Sequence, residues 1–137
     1  MKSLIFAKTA PLDEKMIIRK GTIDDLMELQ QLYVDTIRTV CSADYTPEQI
    51  DAWASNVENE QRWLDVLAKQ FVLVAQHNEK ITGFCTLDNG NYIDLFYVHK
   101  DYQGQGIARM LYGEIEKEAR QREQNILRSN VSRTARP

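Results

Sequence analysis

The first third of the chain is patterned for one strand followed by helices. Two adjacent isoleucines in segment 16–20 predict a strand, and Gly21 follows as a turn residue. Thr22 then begins a predicted helix that continues to about Val40, because apolar side chains recur at three- and four-residue intervals along it. Residues 1–15 precede this pattern, and we interpret them as an N-terminal extension.

Two further helix starts follow. Thr46 precedes a proline and an acidic residue, and Gln49 lies three residues after it, which is the pattern of a capping box. This pattern predicts a short helix through Trp53. Asn59 is a candidate cap for a third helix that ends near Lys69 and carries its apolar side chains on one side.

The second half changes to strand-like patterning. Segments 71–76 and 81–87 flank a polar turn and predict an antiparallel hairpin, and 92–98 follows as a strand with apolar residues on both faces. A glycine-bearing loop, a helix over 106–122 and a strand over 126–131 come next. A strand-helix-strand crossover places the last strand parallel to the strand before the helix. The predicted fold class is therefore α/β (α+β), with a mixed sheet.

Composition agrees with one folded domain. The chain has 137 residues, of which 43% are hydrophobic and 27% charged, and we expect a single domain over 16–137. No apolar run is long enough for a membrane span, and no secretory signal is recognised, so we expect a cytoplasmic protein. Cys41 and Cys85 are predicted to be free buried thiols. Neither they nor His77 and His99 have the spacing of a metal site, so no metal is expected.

Basic residues are concentrated at the C-terminal end. Segment 120–137 contains five arginines and one glutamate, although the net charge of the whole chain is −3. Two interpretations are open, a solvated helix end with a tail or a patch that binds nucleic acid. No aromatic residue lies between these arginines, which favours the first interpretation, with no nucleic-acid or membrane partner.

The loop at 103–108 is the candidate for chemistry, because two glycines lie between a hydrophobic strand and a helix. Glycine allows a tight turn and a close approach of the backbone to a ligand, and the first amides of a helix attract phosphate. A plain strand-to-helix connection explains the same residues. Two common phosphate motifs do not fit, because Arg109 replaces the third glycine of one and the other requires a lysine.

A third pattern fits this loop. Gln103, Gly106 and Ala108 match a motif of Gln or Arg, two residues, Gly, one residue, then Gly or Ala, preceded by the strand-like Leu95-Phe96-Tyr97-Val98. In this context the stretch YVHKDYQGQGIARMLY resembles the GNAT superfamily of acetyl-CoA-dependent N-acetyltransferases. The resemblance covers approximately residues 16–137, in the family's order of elements.

The resemblance implies an acetyl-CoA site. It assigns the pantetheine arm to the strand before the loop and the pyrophosphate to the loop amides. Lys100 is a further candidate for a phosphate contact, although Lys100 and Arg109 are equally well explained as solvated surface charges. The implied cofactor-binding residues are Phe96, Tyr97, Val98, Gln103, Gly104, Gln105, Gly106, Ile107, Ala108 and Arg109.

Asp94 is the candidate catalytic residue. Family members often place a carboxylate at this point of the strand, where it deprotonates the acceptor amine directly or through water. An acidic residue in an apolar strand has a role, is paired, or faces solvent, and the last is the alternative interpretation. A backbone amide near Tyr97 or Val98 is the expected oxyanion donor. Aromatic residues in the helical region are candidates for an acceptor pocket or for the core: Tyr33, Tyr45, Trp53 and Trp63.

Relatives continue past the parallel strand with a further helix and strands, whereas this sequence ends at Pro137. The resemblance therefore predicts a GNAT-like domain without these last elements. An uncovered edge at 126–131 predicts a homodimer or an exchange of elements. Two functions follow as alternatives. One is transfer of acetyl from acetyl-CoA to a primary amine of a small molecule by direct attack. The other is a truncated, inactive module that binds CoA or a protein partner.

Overall fold

The fold is built on one twisted sheet, which the computed structural model describes for residues 16–123 and 128–129. The strands are β1 Met16–Lys20, β2 Phe71–His77, β3 Lys80–Asp88, β4 Tyr92–Val98 and β5 Arg128–Ser129. They lie side by side in this order; β1 to β4 are antiparallel, and β5 is parallel to β4. The predicted antiparallel meander and parallel crossover are therefore confirmed for the described residues.

In the described ranges, four α-helices cover the two faces of this sheet. They are α1 Leu26–Thr39, α2 Pro47–Ala54, α3 Glu60–Lys69 and α4 Ile107–Gln121. Short 3₁₀ turns lie at Ile23–Asp25, Ser55–Glu58 and Lys100–Tyr102. Within the described part of the chain, none of the helices has the length and apolar character needed to cross a membrane.

The sheet divides the core into two halves. Alternate side chains of β2 point to opposite faces, so Val72 and Val74 pack with α1, α2 and α3, whereas Leu73 and Ala75 pack with α4. The pattern of apolar residues on both faces of the central strands is thus explained by helices on both sides. Both cysteines are buried thiols, as predicted.

The N-terminal boundary of α1 differs from the prediction. The sequence pattern placed the helix start at Thr22, but the chain first forms a 3₁₀ turn and α1 begins at Leu26. Asp25 explains the difference, because its carboxylate accepts from the Thr22 N–H at 2.8 Å and pairs with both terminal nitrogens of Arg19 at 2.9 Å. These bonds tie the turn to β1, and the regular helix starts only after it.

Parts of the predicted organisation lie outside the described residues. The proposed extension 1–15 is one of them, and the strand predicted over 126–131 is described only at Arg128–Ser129. The single-domain assignment and the homodimer stay predictions.

The capping box of α2 gives a stability prediction. Thr46 Oγ1 accepts from the Gln49 N–H at 3.1 Å, and Gln49 Oε1 accepts from the Thr46 N–H at 2.8 Å. Thr46→Ala removes the first bond and is expected to lower the free energy of unfolding by about 1 kcal/mol, measured by urea denaturation. Thr46→Ser retains the hydroxyl and serves as the control; equal stability of the alanine variant would contradict the role of the cap.

Candidate functional site

A β-bulge in β4 determines where Asp94 points. Cys85 is opposite Phe96 and Leu87 is opposite Ile93, so two residues of β4, Asp94 and Leu95, lie opposite the single residue Thr86. The Leu95 N–H donates to Thr86 Oγ1 at 3.0 Å. Bulges of this kind redirect side chains. Here Leu95 packs in the core half that contacts α1, α2 and α3. The Asp94 side chain points to the same face of the sheet and contacts α3.

Asp94 is held by α3 through three hydrogen bonds. Arg62 donates from both terminal nitrogens, one to each carboxylate oxygen, at 3.0 Å. Gln70, directly after the helix, donates from Nε2 to Oδ2 at 2.8 Å. The Asp94 side chain is 16% exposed and that of Arg62 is 42% exposed, so the carboxylate is mostly buried beneath a partly exposed guanidinium.

These contacts keep the carboxylate ionised. Burial alone opposes the charge, but the hydrogen bonds from Arg62 and Gln70 outweigh it, and the pKa of Asp94 lies below its ordinary value. The same hydrogen bond raises the pKa of Arg62. The solvent-facing alternative for Asp94 is therefore wrong, since the side chain faces α3 and is paired there.

An aromatic cluster packs beside this pair. Tyr33 of α1 makes edge contacts with the rings of Trp63 at 5.1 Å and Tyr97 at 5.0 Å, between ring centroids. Trp53 donates from Nε1 to the Tyr97 hydroxyl at 3.1 Å, and its carbonyl accepts from the Tyr33 hydroxyl at 3.1 Å. Burial raises the pKa of both tyrosines, so both hydroxyls stay protonated and uncharged.

The loop after β4 is ordered by its own polar side chains. His99 Nδ1 accepts from the Asp101 N–H at 3.0 Å and begins the 3₁₀ turn Lys100–Tyr102. The Gln103 side chain turns back and donates from Nε2 to the Val98 carbonyl. Burial and nearby Lys80 lower the pKa of His99, which favours the neutral ring that this acceptor role requires.

Two left-handed glycines shape the end of this loop. Gly104 has φ +74° and Gly106 has φ +86°, a region in which residues with a Cβ are strained. A Cβ built on either glycine meets no atom within 4 Å, so both face open space. The glycines therefore allow the left-handed backbone of the loop, and they leave the space in front of the loop free of side chains.

That space is a cleft of about 320 Å³ at the start of α4. Its lining residues are Val98, Tyr102, Gln103, Gly104, Gly106, Ile107, Ala108 and Arg109. The first hydrogen bond of the helix runs from the Met110 N–H to the Gly106 carbonyl at 3.0 Å, and Gly106 offers no side-chain cap. The amides of residues 107–109 thus have no acceptor within α4, and the helix dipole adds positive charge there.

At the end of β4, the backbone polar groups of Val98 are not used in the pairing with β3. The His99 N–H donates to the Thr82 carbonyl on β3 at 2.8 Å. Because polar groups alternate along an antiparallel pair, those of Val98 point away from β3. Its carbonyl accordingly accepts from Thr36 Oγ1 at 3.4 Å as well as from Gln103.

Most of the sequence-predicted cofactor residues thus come together in one cleft. Phe96 and Tyr97 do not line it: Phe96 packs with the α4 half of the core and Tyr97 with the other half. Gln105 also lies outside the lining, with its side chain donating to the Asp101 carbonyl at 3.3 Å. Tyr102 is a lining residue that the motif did not assign, although it lies within the stretch that carried the resemblance.

The arrangement suits an anionic group at the start of α4. Glycines without side-chain bulk, free helix amides and the exposed Arg109 all fit such a group. Among the residues that the structure describes, no group of three or more His, Cys, Asp and Glu side chains is placed to hold a metal ion.

Comparison with known families agrees with this geometry. The profile of the acetyltransferase (GNAT) domain matches residues 41–137, most of the chain and all of the loop and cleft. The chain belongs to the GNAT acetyltransferase family. As a GNAT chain, it is 34% identical over 94 residues to YafP of Escherichia coli (strain K12), named as an uncharacterized N-acetyltransferase. That match covers 69% of this chain and 61% of the relative, so the chain spans about three fifths of that protein.

Solved structures share the GNAT fold. The GCN5-related N-acetyltransferase (Aminotransferase, Class-II) from Rhodopseudomonas palustris superposes with a TM-score of 0.84 at 31% identity, over 87% of this chain and 74% of that one. The PaiA N-acetyltransferase from Thermoplasma acidophilum, solved in complex with coenzyme A, superposes with a TM-score of 0.66 at 20% identity. This second match covers 79% of this chain and 74% of that one.

Proposed function

We propose that this protein is an N-acetyltransferase that moves an acetyl group from acetyl-CoA to a primary amine of a small molecule. The observation that carries the proposal is the cleft at the start of α4, where two left-handed glycines face open space and three helix amides have no acceptor within α4. Family membership supports the same conclusion, because the matched profile is that of an acetyltransferase domain.

Acetyl-CoA is assigned to this cleft as the cosubstrate. The backbone amides of 103–108 are proposed to hold the pyrophosphate, and Arg109 to add a cationic contact. The N–H of Val98, which points away from β3, is proposed to bind the pantetheine arm together with the backbone of Phe96. The thioester supplies an activated acetyl carbon with a thiol leaving group.

Asp94 is proposed to act as the base. The amine nitrogen attacks the thioester carbonyl carbon, a C–N bond forms, and the C–S bond breaks. The proton lost by nitrogen passes to Asp94, directly or through water, and the departing sulfur takes a proton from solvent. A backbone amide near Tyr97 or Val98 would stabilise the negative charge on the carbonyl oxygen. Asp94 is ionised and can therefore accept the proton, but the pairing that lowers its pKa also makes it a weaker base.

The acceptor is proposed to be a cationic amine. Segment 35–65, which contains the end of α1, all of α2 and most of α3, holds seven Asp and Glu residues against two arginines. Both arginines are paired with aspartates, Arg38 with Asp51 and Arg62 with Asp94. This negative surface would attract an ammonium group before it is deprotonated.

A thiol-release assay with acetyl-CoA and a panel of amines tests the proposal, beside calorimetry with coenzyme A. We expect binding of coenzyme A and amine-dependent release of thiol, with positively charged amines favoured over neutral ones. Binding without thiol release across the panel would contradict the enzyme and favour the alternative of a CoA-binding module.

A further inference from the structure

Asp94 has partners in α3 that the resemblance did not assign. Resting on the function proposed above, we propose that Arg62 and Gln70 are positioning residues that orient the Asp94 carboxylate so that Oδ1 accepts the proton of the acceptor amine. Neither residue needs to touch the substrate for this role. Their effect on the reaction runs through the geometry of Asp94.

The pattern of hydrogen bonds distinguishes the two carboxylate oxygens. A carboxylate has about four acceptor sites, two on each oxygen. Arg62 occupies one site on each oxygen, since Nη1 bonds Oδ2 and Nη2 bonds Oδ1. Gln70 takes the second site on Oδ2. Among the contacts of the described residues, Oδ1 is therefore the oxygen that retains a site for an incoming proton.

Arg62 and Gln70 restrain the plane of the Asp94 carboxylate and also determine which of its oxygens stays available. A guanidinium that bonds both oxygens of a carboxylate lies nearly coplanar with it, so Arg62 restrains rotation of the Asp94 side chain. Gln70, directly after α3, adds a third hydrogen bond to the carboxylate. Arg62 and Gln70 are eight residues apart along the chain, roughly 12 Å of helix length, yet they converge on one side chain. Trp63 and Val66 anchor α3 between them, with 3% exposure each.

The hydrogen bond to Asp94 determines the orientation of the Gln70 side-chain amide. Its Oε1 atom is buried and has no hydrogen-bond partner among the described residues, whereas Nε2 bonds Asp94. An unpaired buried acceptor costs about 1–3 kcal/mol. The reverse orientation would place Oε1 against the carboxylate, oxygen to oxygen. The arrangement is therefore one that the charge of Asp94 stabilises.

Arg62 supplies the positive charge in this environment. The groups that face Asp94 are Arg62 and Gln70 from the α3 region, Tyr33 from α1 and Tyr97 from β4. Gln70 is uncharged, and the two tyrosines remain protonated because burial raises the pKa of each. Removing Arg62 therefore removes the nearby cation and, with it, the restraint on the plane of the carboxylate.

Substitutions at Arg62 separate charge from orientation. Arg62→Gln removes the cation, so we expect the pKa of Asp94 to rise, which ¹³C NMR of the carboxyl group measures. We also expect kcat with a cationic amine to fall about 10-fold, with KM for acetyl-CoA unchanged. Arg62→Lys retains the charge but not the two-pronged geometry. It should leave the pKa near that of the wild type and still reduce kcat.

Arg120→Gln is the control, because it breaks an exposed pair with Glu116 on α4, outside the surface proposed to attract the acceptor. It should leave kcat and the Asp94 pKa unchanged. Circular dichroism checks the fold, and Arg62→Lys carries the test if Arg62→Gln does not fold. Wild-type kcat in both Arg62 variants would overturn the inference. Full activity of Asp94→Asn would instead overturn the proposed base, so the two failures are distinguishable.

Discussion

Replacing Gly106 by aspartate is expected to weaken the binding of coenzyme A about 100-fold, equivalent to ~2.7 kcal/mol. The substitution adds a carboxylate where the proposed pyrophosphate would lie, and two negative charges in close contact repel each other strongly. It also places a Cβ on a residue with φ +86°, which favours a shift of the loop backbone. Isothermal titration calorimetry with coenzyme A measures the effect.

The structure provides controls for this prediction. A Cβ at position 106 meets no atom within 4 Å, so the substitution leaves the core unchanged. Gly106→Ala adds the strain without the charge and should weaken binding less. Gly113→Asp places the same carboxylate further along α4, also in open space, and should bind coenzyme A as the wild type does. Unchanged affinity of Gly106→Asp would show that the cleft does not hold the pyrophosphate.

Replacing Asp94 by asparagine should lower kcat about 100-fold at pH 7, because an amide cannot take the proton of the attacking amine. The direction of the pH dependence follows from the same reasoning. Without a base, the reaction depends on amine that is already neutral, and this fraction increases as the pH approaches the pKa of the amine. The difference between variant and wild type is therefore expected to be greatest at low pH and to narrow as the pH rises.

The measurement is kcat against pH with one saturating amine. Asp65→Asn makes the same chemical change at an exposed residue of α3, where Asp65 pairs with Lys69, and should leave kcat unchanged. Arg62 loses its partner in Asp94→Asn, but its side chain is 42% exposed and solvent can compensate it. A pH profile identical to that of the wild type would exclude Asp94 as the base.

Local sequence signals predicted the elements well. The capping box at Thr46 and the cap at Asn59 mark helix starts that the structure confirms, and the crossover after 92–98 predicted the parallel strand. These signals act over a few residues, through side-chain to backbone bonds and through periodicity. Where a residue outside the helix intervenes, the prediction was wrong: Arg19 of β1 pairs with the Asp25 carboxylate, and α1 begins four residues later than expected.

The candidate site also has one part that the sequence predicted and one part that it did not. The glycine loop was recognisable because its residues are adjacent in the chain and their backbone requirements are local. The partners of Asp94 were not, since Arg62 lies 32 residues and Gln70 24 residues before it. Nothing near either residue in the sequence marks it as a neighbour of Asp94. The bulge that turns Asp94 toward α3 was likewise invisible, because a bulge depends on the register between two strands.

The sequence by itself determined the order of elements, the family and the loop with its two glycines, because periodicity, capping and backbone freedom belong to neighbouring residues. The tertiary structure decided that these glycines face an open cleft, that Phe96 and Tyr97 turn to opposite core halves, and that Asp94 is paired with α3. Those outcomes depend on how helices pack on the sheet, and packing joins residues that the chain keeps far apart.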